Sequence, residues 1–534
     1  LNCHADFHSL CLVSKYFYAS AIRFLYRRLK IPLGASGKIV TPLHAVLSAQ
    51  QQERLLRFAA GGKDGLVGKS GKGCGFDKDL SDCGEFVREF EVAHLVASSG
   101  EEDEEIRKEI IESAIENMSH LESFVWNTSN HQILRRTRRI STSLTRKPLL
   151  HSLSLSNILD ADIPLLHLHP LHSVAFILES NFASLAHRPT PSTADYDIIR
   201  KILSTSTKTL KSLSLITRSG PQPHYEDERL LFGGGGEGGH KSAFEESPEG
   251  TEVMHLGNLE SLTLVERLFT VKRSEVFTQA INFNNLRRLE ILSCPGVELL
   301  LSAITACEVG ELGADTEGAS EKVNKIFPNL RTLGITATQS ALTRFLRSFR
   351  GLRDLRYELE CDPTDWTAPG GHRRQVSSRE ISKDLLEAIA THHGATLRKL
   401  TVTSFDQWKC IDEAGMKILA AKCQVLEKLF CCVGGFRFVS LFPVSNNRPA
   451  ITHTPSSLST LHFHGQGPLS ESEARELVLK VLEQKPKLKT VGVFAGKRRA
   501  RPFVFRVRPG GVLERVYVGD FLERGKLRAG EFGD

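Results

Sequence analysis

The sequence has 534 residues, 40% of them hydrophobic, and its 69 Lys and Arg against 62 Asp and Glu give a net charge of +7. This length fits either about three or four globular domains or one long repeat body. The mild basic excess is not concentrated in any block, so nucleic acid is not expected as a partner. No apolar run approaches the roughly 20 residues that cross a bilayer, so no membrane-spanning helix is expected.

The cysteines indicate the compartment. There are 11 of them, scattered along the chain and including the adjacent Cys431 and Cys432, and no signal peptide precedes them. An odd number without a secretory leader favours free, mostly packed thiols in a reducing setting, either cytoplasmic or nuclear. The first residue is Leu rather than Met, so we expect the sequence to be a fragment or incomplete.

The first predicted element is a compact amphipathic segment over residues 5–30. It reads as two short helices, because apolar side chains recur on one side at helical spacing. These side chains are Leu10, Val13, Phe17, Ala21 and either Phe24 or Leu25. The segment ends at residues 31–33, which sets the first domain as 1–33.

Residues 34–85 are predicted to hold a helix, over residues 43–60, and then a flexible linker rich in Gly and Lys. The run Gly68-Lys69-Ser70 invites interpretation as a phosphate-binding loop. That loop needs Gly five positions before its second Gly, and the residue there is Lys63. No apolar strand leads into the run either, so a nucleotide site is not expected.

From residue 86 to 495 the chain is organised by one recurring motif. Its sharpest copy is Leu286-Arg287-Arg288-Leu289-Glu290-Ile291. Because side chains alternate in a strand, Leu289 and Ile291 should point to one side and Arg288 and Glu290 to the other. Further copies begin at Leu121, Leu150, Leu171, Leu210, Leu259, Leu330, Leu352, Leu397, Leu426, Leu458 and Leu488. This is the strand signature of a leucine-rich repeat.

Amphipathic helical runs precede several copies, as in residues 342–346 before Leu352. Helix, turn and strand in alternation predict an α/β solenoid with parallel strands on a concave face and helices outside. Its first strand is expected at residues 87–92. Copies are separated by 22 residues between Leu330 and Leu352 but by 45 between Leu352 and Leu397, so the array is irregular and contains insertions.

Two insertions and a terminal cap are predicted from composition. Residues 219–250 and 362–378 are rich in Gly and Pro and cannot bury enough apolar surface, so both are expected to be disordered. In the last region, 496–534, two strand-like runs flank Pro509-Gly510-Gly511. That pattern predicts a hairpin, which would cover the exposed core of the terminal repeat.

Catalytic and metal-binding patterns are weak. No nucleophile elbow, paired-carboxylate signature or cofactor loop is recognisable, so we expect a non-enzymatic binding protein without a cofactor. The basic cluster at residues 135–139 is either a nuclear signal or anion patch or, by preference, a solvated face. The clustered histidines lack Cys or carboxylate neighbours and are predicted to be surface or loop residues rather than metal ligands. They are His167, His169, His172, His392, His393, His462 and His464.

The N-terminal residues resemble a known family. Residues 10–18, reading Leu-Cys-Leu-Val-Ser-Lys-Tyr-Phe-Tyr, and then residues 25–29, reading Leu-Tyr-Arg-Arg-Leu, are similar to the second half of an F-box. With leucine-rich repeats behind it, the chain looks like the large fungal group of F-box proteins. The family's first helix, normally opened by Leu-Pro, has no counterpart in the sequence, so we expect weakened adaptor binding.

This resemblance implies the substrate-recognition subunit of a Skp–cullin–F-box ubiquitin ligase, which selects target proteins for degradation. Its partners would be a Skp-type adaptor, through it a cullin, and an unknown target protein. The adaptor would contact a small all-α partial F-box at Leu10, Leu12, Val13, Phe17 and Tyr18. The target would bind outward strand positions, which form a mixed, somewhat basic surface suited to an acidic or phosphorylated segment. These are Arg288, Glu290, Arg356, Thr401, Phe430 and His462.

Two alternatives stay open. One is a leucine-rich-repeat scaffold for protein interactions without a ligase role, whose F-box has decayed; it should not bind the adaptor even after the missing helix is restored. A less favoured third class is a nucleic-acid-binding protein that uses the Arg-rich clusters, for which salt-sensitive retention of RNA or DNA is expected.

Overall fold

The computed structural model describes residues 27–32, 86–93, 101–127, 136–156, 158, 160–179, 193–218, 253–307, 327–359, 381–404, 411–437, 455–466, 470–495 and 503–516. The predicted adaptor-binding residues, the helix over 43–60, the linker and both insertions lie outside these residues. The described chain is α/β, with strands alternating with helices, as the sequence predicts. It forms two compact units, Leu1–Leu259 with Gln279–Ile281, and Glu260–Thr278 with Asn282–Asp534.

The first unit contains six strands, each pairing in parallel with the next. Helices lie between most of them in sequence. In chain order the elements are β1 (Arg28–Pro32), β2 (Glu89–Ala93), α1 (Glu101–Asn117), β3 (Ser123–Asn127), α2 (Arg138–Thr145), β4 (Ser152–Ser156), a 3-10 helix (Asp160–His167), β5 (Ser173–Glu179), α3 (Thr193–Ser206) and β6 (Ser212–Arg218).

The second unit continues the same alternation. Its strands from β7 to β14 pair in parallel with their sequence neighbours. The elements are β7 (Ser261–Val265), α4 (Val271–Ala280, whose last residues group with the first unit), a 3-10 turn (Phe283–Asn285), β8 (Arg288–Leu292), α5 (Val297–Cys307), β9 (Thr332–Ala337), α6 (Gln339–Arg347), β10 (Asp354–Leu359), α7 (Lys383–His393), β11 (Lys399–Ser404), α8 (Glu413–Lys422), β12 (Lys428–Arg437), β13 (Thr460–Gln466), α9 (Glu471–Gln484), β14 (Thr490–Ala495), β15 (Phe503–Val507) and β16 (Leu513–Val516).

Every predicted copy of the motif is a strand. Each strand from β3 to β14 begins two residues after the first Leu of its copy. In the sharpest copy Leu286, Leu289 and Ile291 are all 0% exposed. Burying each such side chain contributes roughly 1.5–3 kcal/mol, so the motif is the core of the fold.

The first strand lies earlier than predicted. Helix was expected to Lys30 and the first strand at residues 87–92, but Arg28–Pro32 is already β1 and pairs in parallel with β2. In the register of this pair, Leu29 lies opposite Phe90 and Ile31 opposite Val92. Arg28 also reaches the next strand, with Nη2 3.3 Å from Oε2 of Glu91. The predicted boundary at residue 33 therefore cuts off a strand that belongs to the sheet.

The basic cluster at residues 135–139 does not behave as a solvated face throughout. Arg136 is 3% exposed, and its Nε and Nη2 donate to the two carboxylate oxygens of Asp162 at 3.1 and 2.6 Å. Its Nη1 donates to the carbonyl oxygen of Ser156 at 2.9 Å. The guanidinium carbon lies 5.7 Å from the ring centroid of Trp126. Arg138 is exposed. The cluster therefore combines a buried, hydrogen-bonded arginine with a solvated one.

Helix starts in the second unit carry polar caps. The side chains of Ser382 and Asp412 accept backbone N–H groups at the first turns of α7 and α8. Ser470 and Glu473 form a reciprocal capping box at α9. Such caps satisfy N–H groups that a helix leaves open, each worth about 1 kcal/mol.

The predicted hairpin is present. Strand β15 pairs antiparallel with both β14 and β16. The turn uses Gly510 and Gly511, whose φ values of 86° and 79° favour glycine. Arg475 of α9 lies over Phe505, with its guanidinium carbon 5.2 Å from the ring centroid. The series of parallel strands thus ends in an antiparallel hairpin packed on α9.

Among the described residues, no helix combines the length and apolar character needed to cross a membrane.

Candidate functional site

The predicted target-binding residues lie in one row across adjacent strands of the second unit. Strand register places them side by side, with Arg288 two residues earlier on β8. The row, called here the polar row, runs Thr263, Glu290, Gly334, Arg356, Thr401, Phe430, His462 and Gly492. The structure therefore brings these residues together, and their role in binding stays a prediction.

Two members of the row are covered rather than outward. Glu290 is 6% exposed and His462 only 1%. Both lie beside glycines of the next strand: a Cβ on Gly334 would stand 3.1 Å from Cγ of Glu290, and one on Gly492 would stand 2.8 Å from Cγ of His462. Because these glycines leave room, both side chains lie down on the sheet instead of projecting from it.

A repeated Arg-x-Glu arrangement organises the charges on this face. On β8, Arg288 donates to Glu290; on β10, Nη2 of Arg356 donates to Oε1 of Glu358 at 2.5 Å. In both cases a Thr of the preceding strand, at the paired register position, donates to the other carboxylate oxygen at 3.2 Å. These are Thr263 for Glu290 and Thr336 for Glu358.

The face is therefore less basic than the sequence predicts. Besides the two Arg-x-Glu pairs, Nζ of Lys399 lies 3.4 Å from Oδ2 of Asp354. Each of these cations is matched by a carboxylate of the same face. A ligand with negative charge must compete with these internal partners, which weakens the case for anion capture on the polar row.

An aromatic patch occupies the other end of the row. The rings of Phe430 and His462 are 4.4 Å apart, and Nζ of Lys399 lies 6.0 Å from the centre of Phe430. Burial lowers the pKa of His462 to about 4, so its ring is neutral near pH 7. This end is suited to contact with uncharged or aromatic groups.

His393 also contradicts the prediction of surface histidines. It is 1% exposed at the end of α7, and burial lowers its pKa to about 4. The N–H of Leu352 donates to its Nδ1 at 3.4 Å, so the ring proton must sit on Nε2, which donates to the carbonyl oxygen of Leu346 at 3.1 Å. Through these hydrogen bonds, His393 connects α7 to the end of α6 and to Leu352 ahead of β10.

A second row was missed by reasoning from the sequence. Four successive copies read Leu-Arg-x-Leu, and their arginines fall at the same position, immediately before the first paired residue of strands β8 to β11. We call Arg287, Arg331, Arg353 and Arg398 the arginine row. The signal was visible in the motif itself, since the second position of each copy is the same residue type.

Backbone hydrogen bonds fix the arginine row. The N–H of Arg331 donates to the carbonyl of Arg287 at 2.9 Å, that of Arg353 to Arg331 at 2.8 Å, and that of Arg398 to Arg353 at 2.8 Å. Each carbonyl also accepts the N–H of the following residue on the next strand. The four Cα positions are thus held in line by main-chain bonds rather than by side-chain packing.

The described residues contain no group of three His, Cys, Asp or Glu arranged to hold a metal ion. The chain matches no protein-family model, and no curated protein is significantly similar to it in sequence. Fold and site define its class: an α/β protein of repeated strand–helix units with a polar strand face.

Proposed function

We propose that the protein is the substrate-recognition subunit of a Skp–cullin–F-box type ubiquitin ligase and binds target proteins through leucine-rich repeats. The proposal that the repeats bind a target is supported by the polar row, in which equivalent positions of successive strands present side chains on one face. The ligase half depends on the resemblance of residues 10–29 to an F-box.

Cys294 supports the leucine-rich-repeat assignment. After Leu286, Leu289 and Ile291 it stands where the repeat consensus has Asn or Cys. Its buried sulfur lies 3.3 Å from the carbonyl oxygen of Leu292 and accepts the N–H of Arg267 at 3.3 Å. The side chain of Cys294 therefore bonds the backbone of its own repeat and of the repeat before it.

In this proposal the protein is not itself catalytic and needs no cofactor. The partial F-box would dock on a Skp-type adaptor through Leu10, Leu12, Val13, Phe17 and Tyr18, and the adaptor would join it to a cullin. The repeats would hold the target near the ubiquitin-charged partner, so that proximity and orientation accelerate transfer. Reduced, buried thiols at Cys294, Cys423 and Cys431 agree with work in the cytoplasm or nucleus.

Co-purification with a Skp-type adaptor tests the ligase half. Three proteins are compared: the chain extended by an F-box first helix ahead of Leu1, the Val13→Glu variant of this extended chain, and a chimera carrying a complete F-box in place of residues 1–27, which keeps β1. The proposal expects the extended chain to retain the adaptor and its Val13→Glu variant to lose it, because a buried carboxylate would disrupt an apolar contact.

The second candidate is a leucine-rich-repeat interaction scaffold without a ligase role. This function needs only the repeated strand–helix units, which the structure describes. If the chimera binds the adaptor and the extended chain does not, the assay works and the scaffold function is the correct one. Binding that Val13→Glu leaves unchanged would also count against the F-box assignment.

A further inference from the structure

The arginine row carries charge that the neighbouring side chains only partly neutralise. At its ends, Nη1 of Arg287 lies 3.5 Å from Oε2 of Glu260, and Nη1 of Arg398 lies 3.6 Å from Oε1 of Glu427. Within the described part of the chain, no carboxylate forms an ion pair with Arg331 or Arg353. Instead, Nη1 of Arg331 donates to the carbonyl oxygen of Gly351 at 3.1 Å, and Arg353 is exposed.

This arrangement has an electrostatic cost in the free protein. Adjacent strands are about 4.8 Å apart, so the row carries four guanidinium groups over roughly 14 Å. Like charges directly opposite one another on neighbouring strands are destabilising. An anionic ligand laid along the row would reduce this repulsion, and the hydrogen-bonded main chain fixes the spacing of the four arginines.

We propose that the arginine row binds a short acidic segment of a target protein, rich in Asp, Glu or phosphorylated Ser and Thr. An extended peptide rises about 3.3 Å per residue, so some four or five residues span the row. Arginine suits this task because its planar fork makes paired hydrogen bonds to carboxylate or phosphate oxygens. The segment would run across the strand entries, beside the polar row rather than on it.

The glutamates at both ends favour a short peptide over a nucleic acid. Glu260 and Glu427 occupy the same register position as the arginines, one strand beyond each end. A long polyanion would continue past the row and meet these carboxylates. A segment of a few acidic residues ends before them and is centred on Arg331 and Arg353, which have no carboxylate partner among the described residues.

The inference rests on the proposed binding of targets by the repeats and is independent of the ligase role. Fluorescence anisotropy with the whole chain and no adaptor therefore tests it separately. The probes are a labelled oligo-glutamate peptide of about five residues, the same length of oligo-phosphoserine, a neutral oligo-glutamine of that length, and single-stranded RNA of about 20 nucleotides.

The decisive variant is Arg331→Glu with Arg353→Glu. Its matched control is Arg344→Glu with Arg347→Glu, which makes the same charge change at two exposed arginines of α6. We expect the acidic peptides to bind the wild type in a salt-sensitive manner, the neutral peptide not to bind, and the row variant to weaken binding by about tenfold or more. The α6 variant should weaken it much less, and circular dichroism should show both variants folded.

Three results would overturn the inference. The first is no binding of either acidic peptide to the wild type. The second is equal loss in the row and α6 variants, which would indicate general charge attraction. The third is RNA binding tighter than either peptide and lost in the row variant, which would assign the row to nucleic acid. Adaptor binding is measured separately, so failure here leaves the ligase proposal standing.

Discussion

The two units share one architecture but place their polar groups differently. In the first unit the strand face carries small hydroxyls: Ser123, Ser152, Ser173 and Ser212 are paired in register across β3 to β6. The ion pair of Arg136 with Asp162 in this unit is fully buried. In the second unit the charges lie on the strand face and at the strand entries.

This difference separates the fold from the recognition chemistry. Leucines at equivalent positions build both units, so the positions between them are free to vary. The first unit uses Arg136 and Asp162 for structure and presents serine hydroxyls on β3 to β6, with an ion pair between Arg28 and Glu91 where β1 meets β2. The second presents paired charges, aromatic rings and an arginine row, and is therefore the part of the molecule best equipped to select a partner.

The largest expected effect is on the first unit. Arg136→Ala leaves Asp162 charged and buried, and should destabilise the unit by about 3–5 kcal/mol. The double change Arg136→Met with Asp162→Leu should recover most of that loss, because no charge remains unpaired. Hydrogen exchange read separately for residues 138–145 and 383–393 checks this. Equal loss of protection in both segments would contradict the division into separate units.

The next effect is a pH response confined to the second unit. The pKa values of His393 and His462 are lowered from 6.5 to about 4, so on acidification the unfolded chain takes up protons first. The contribution of these two neutral histidines to the free energy of unfolding is complete above about pH 6.5. It is lost as the pH falls towards 4, by up to about 3 kcal/mol for each histidine.

Urea unfolding at about pH 7.5, 5.5 and 4.5 measures the slope of the free energy of unfolding against pH. His462→Phe keeps an aromatic ring on Phe430 and should make the slope shallower. His151→Gln, at an exposed histidine of the first unit, serves as the control and should leave it unchanged. A slope identical in all three proteins would show that other groups cause the acid sensitivity.

A smaller effect is expected from the glycine beneath His462. Gly492→Ala sets a methyl group 2.8 Å from the imidazole and should destabilise the second unit by about 1–3 kcal/mol. Gly257→Ala in the first unit meets no atom within 4 Å and should be nearly neutral. Thermal unfolding compares the two. If Gly492→Ala is tolerated as well as Gly257→Ala, close packing of His462 against residue 492 does not contribute to stability.

The smallest effects compare the two strand faces directly. Thr336→Val removes the hydrogen bond to Glu358 and should cost about 1 kcal/mol. Ser152→Ala, on the serine face, should change stability by less than about 0.5 kcal/mol. Chemical denaturation of both variants measures the difference. A larger loss from Ser152→Ala would mean that the serine face carries structure after all.

The motif in the sequence predicts the strands and their register, because each strand starts at a fixed distance from its Leu. That fixed distance is also why Arg356, Thr401 and Phe430 align. Their surroundings were not predictable, since the covering of His462 depends on Gly492, which another repeat supplies. Arg136 and Asp162 are 26 positions apart in sequence, and no local sequence pattern predicts that they pair.

Within each unit every parallel strand pairs with its nearest neighbours in sequence, and this has a consequence for biosynthesis. A strand leaving the ribosome finds the edge it must join already formed by the repeat made before it. Such a chain extends by addition of one repeat at a time and needs few long-range searches, which favours rapid folding. Among the described strands of the second unit, β15 and β16 are made after all the parallel ones, and β15 pairs with β14.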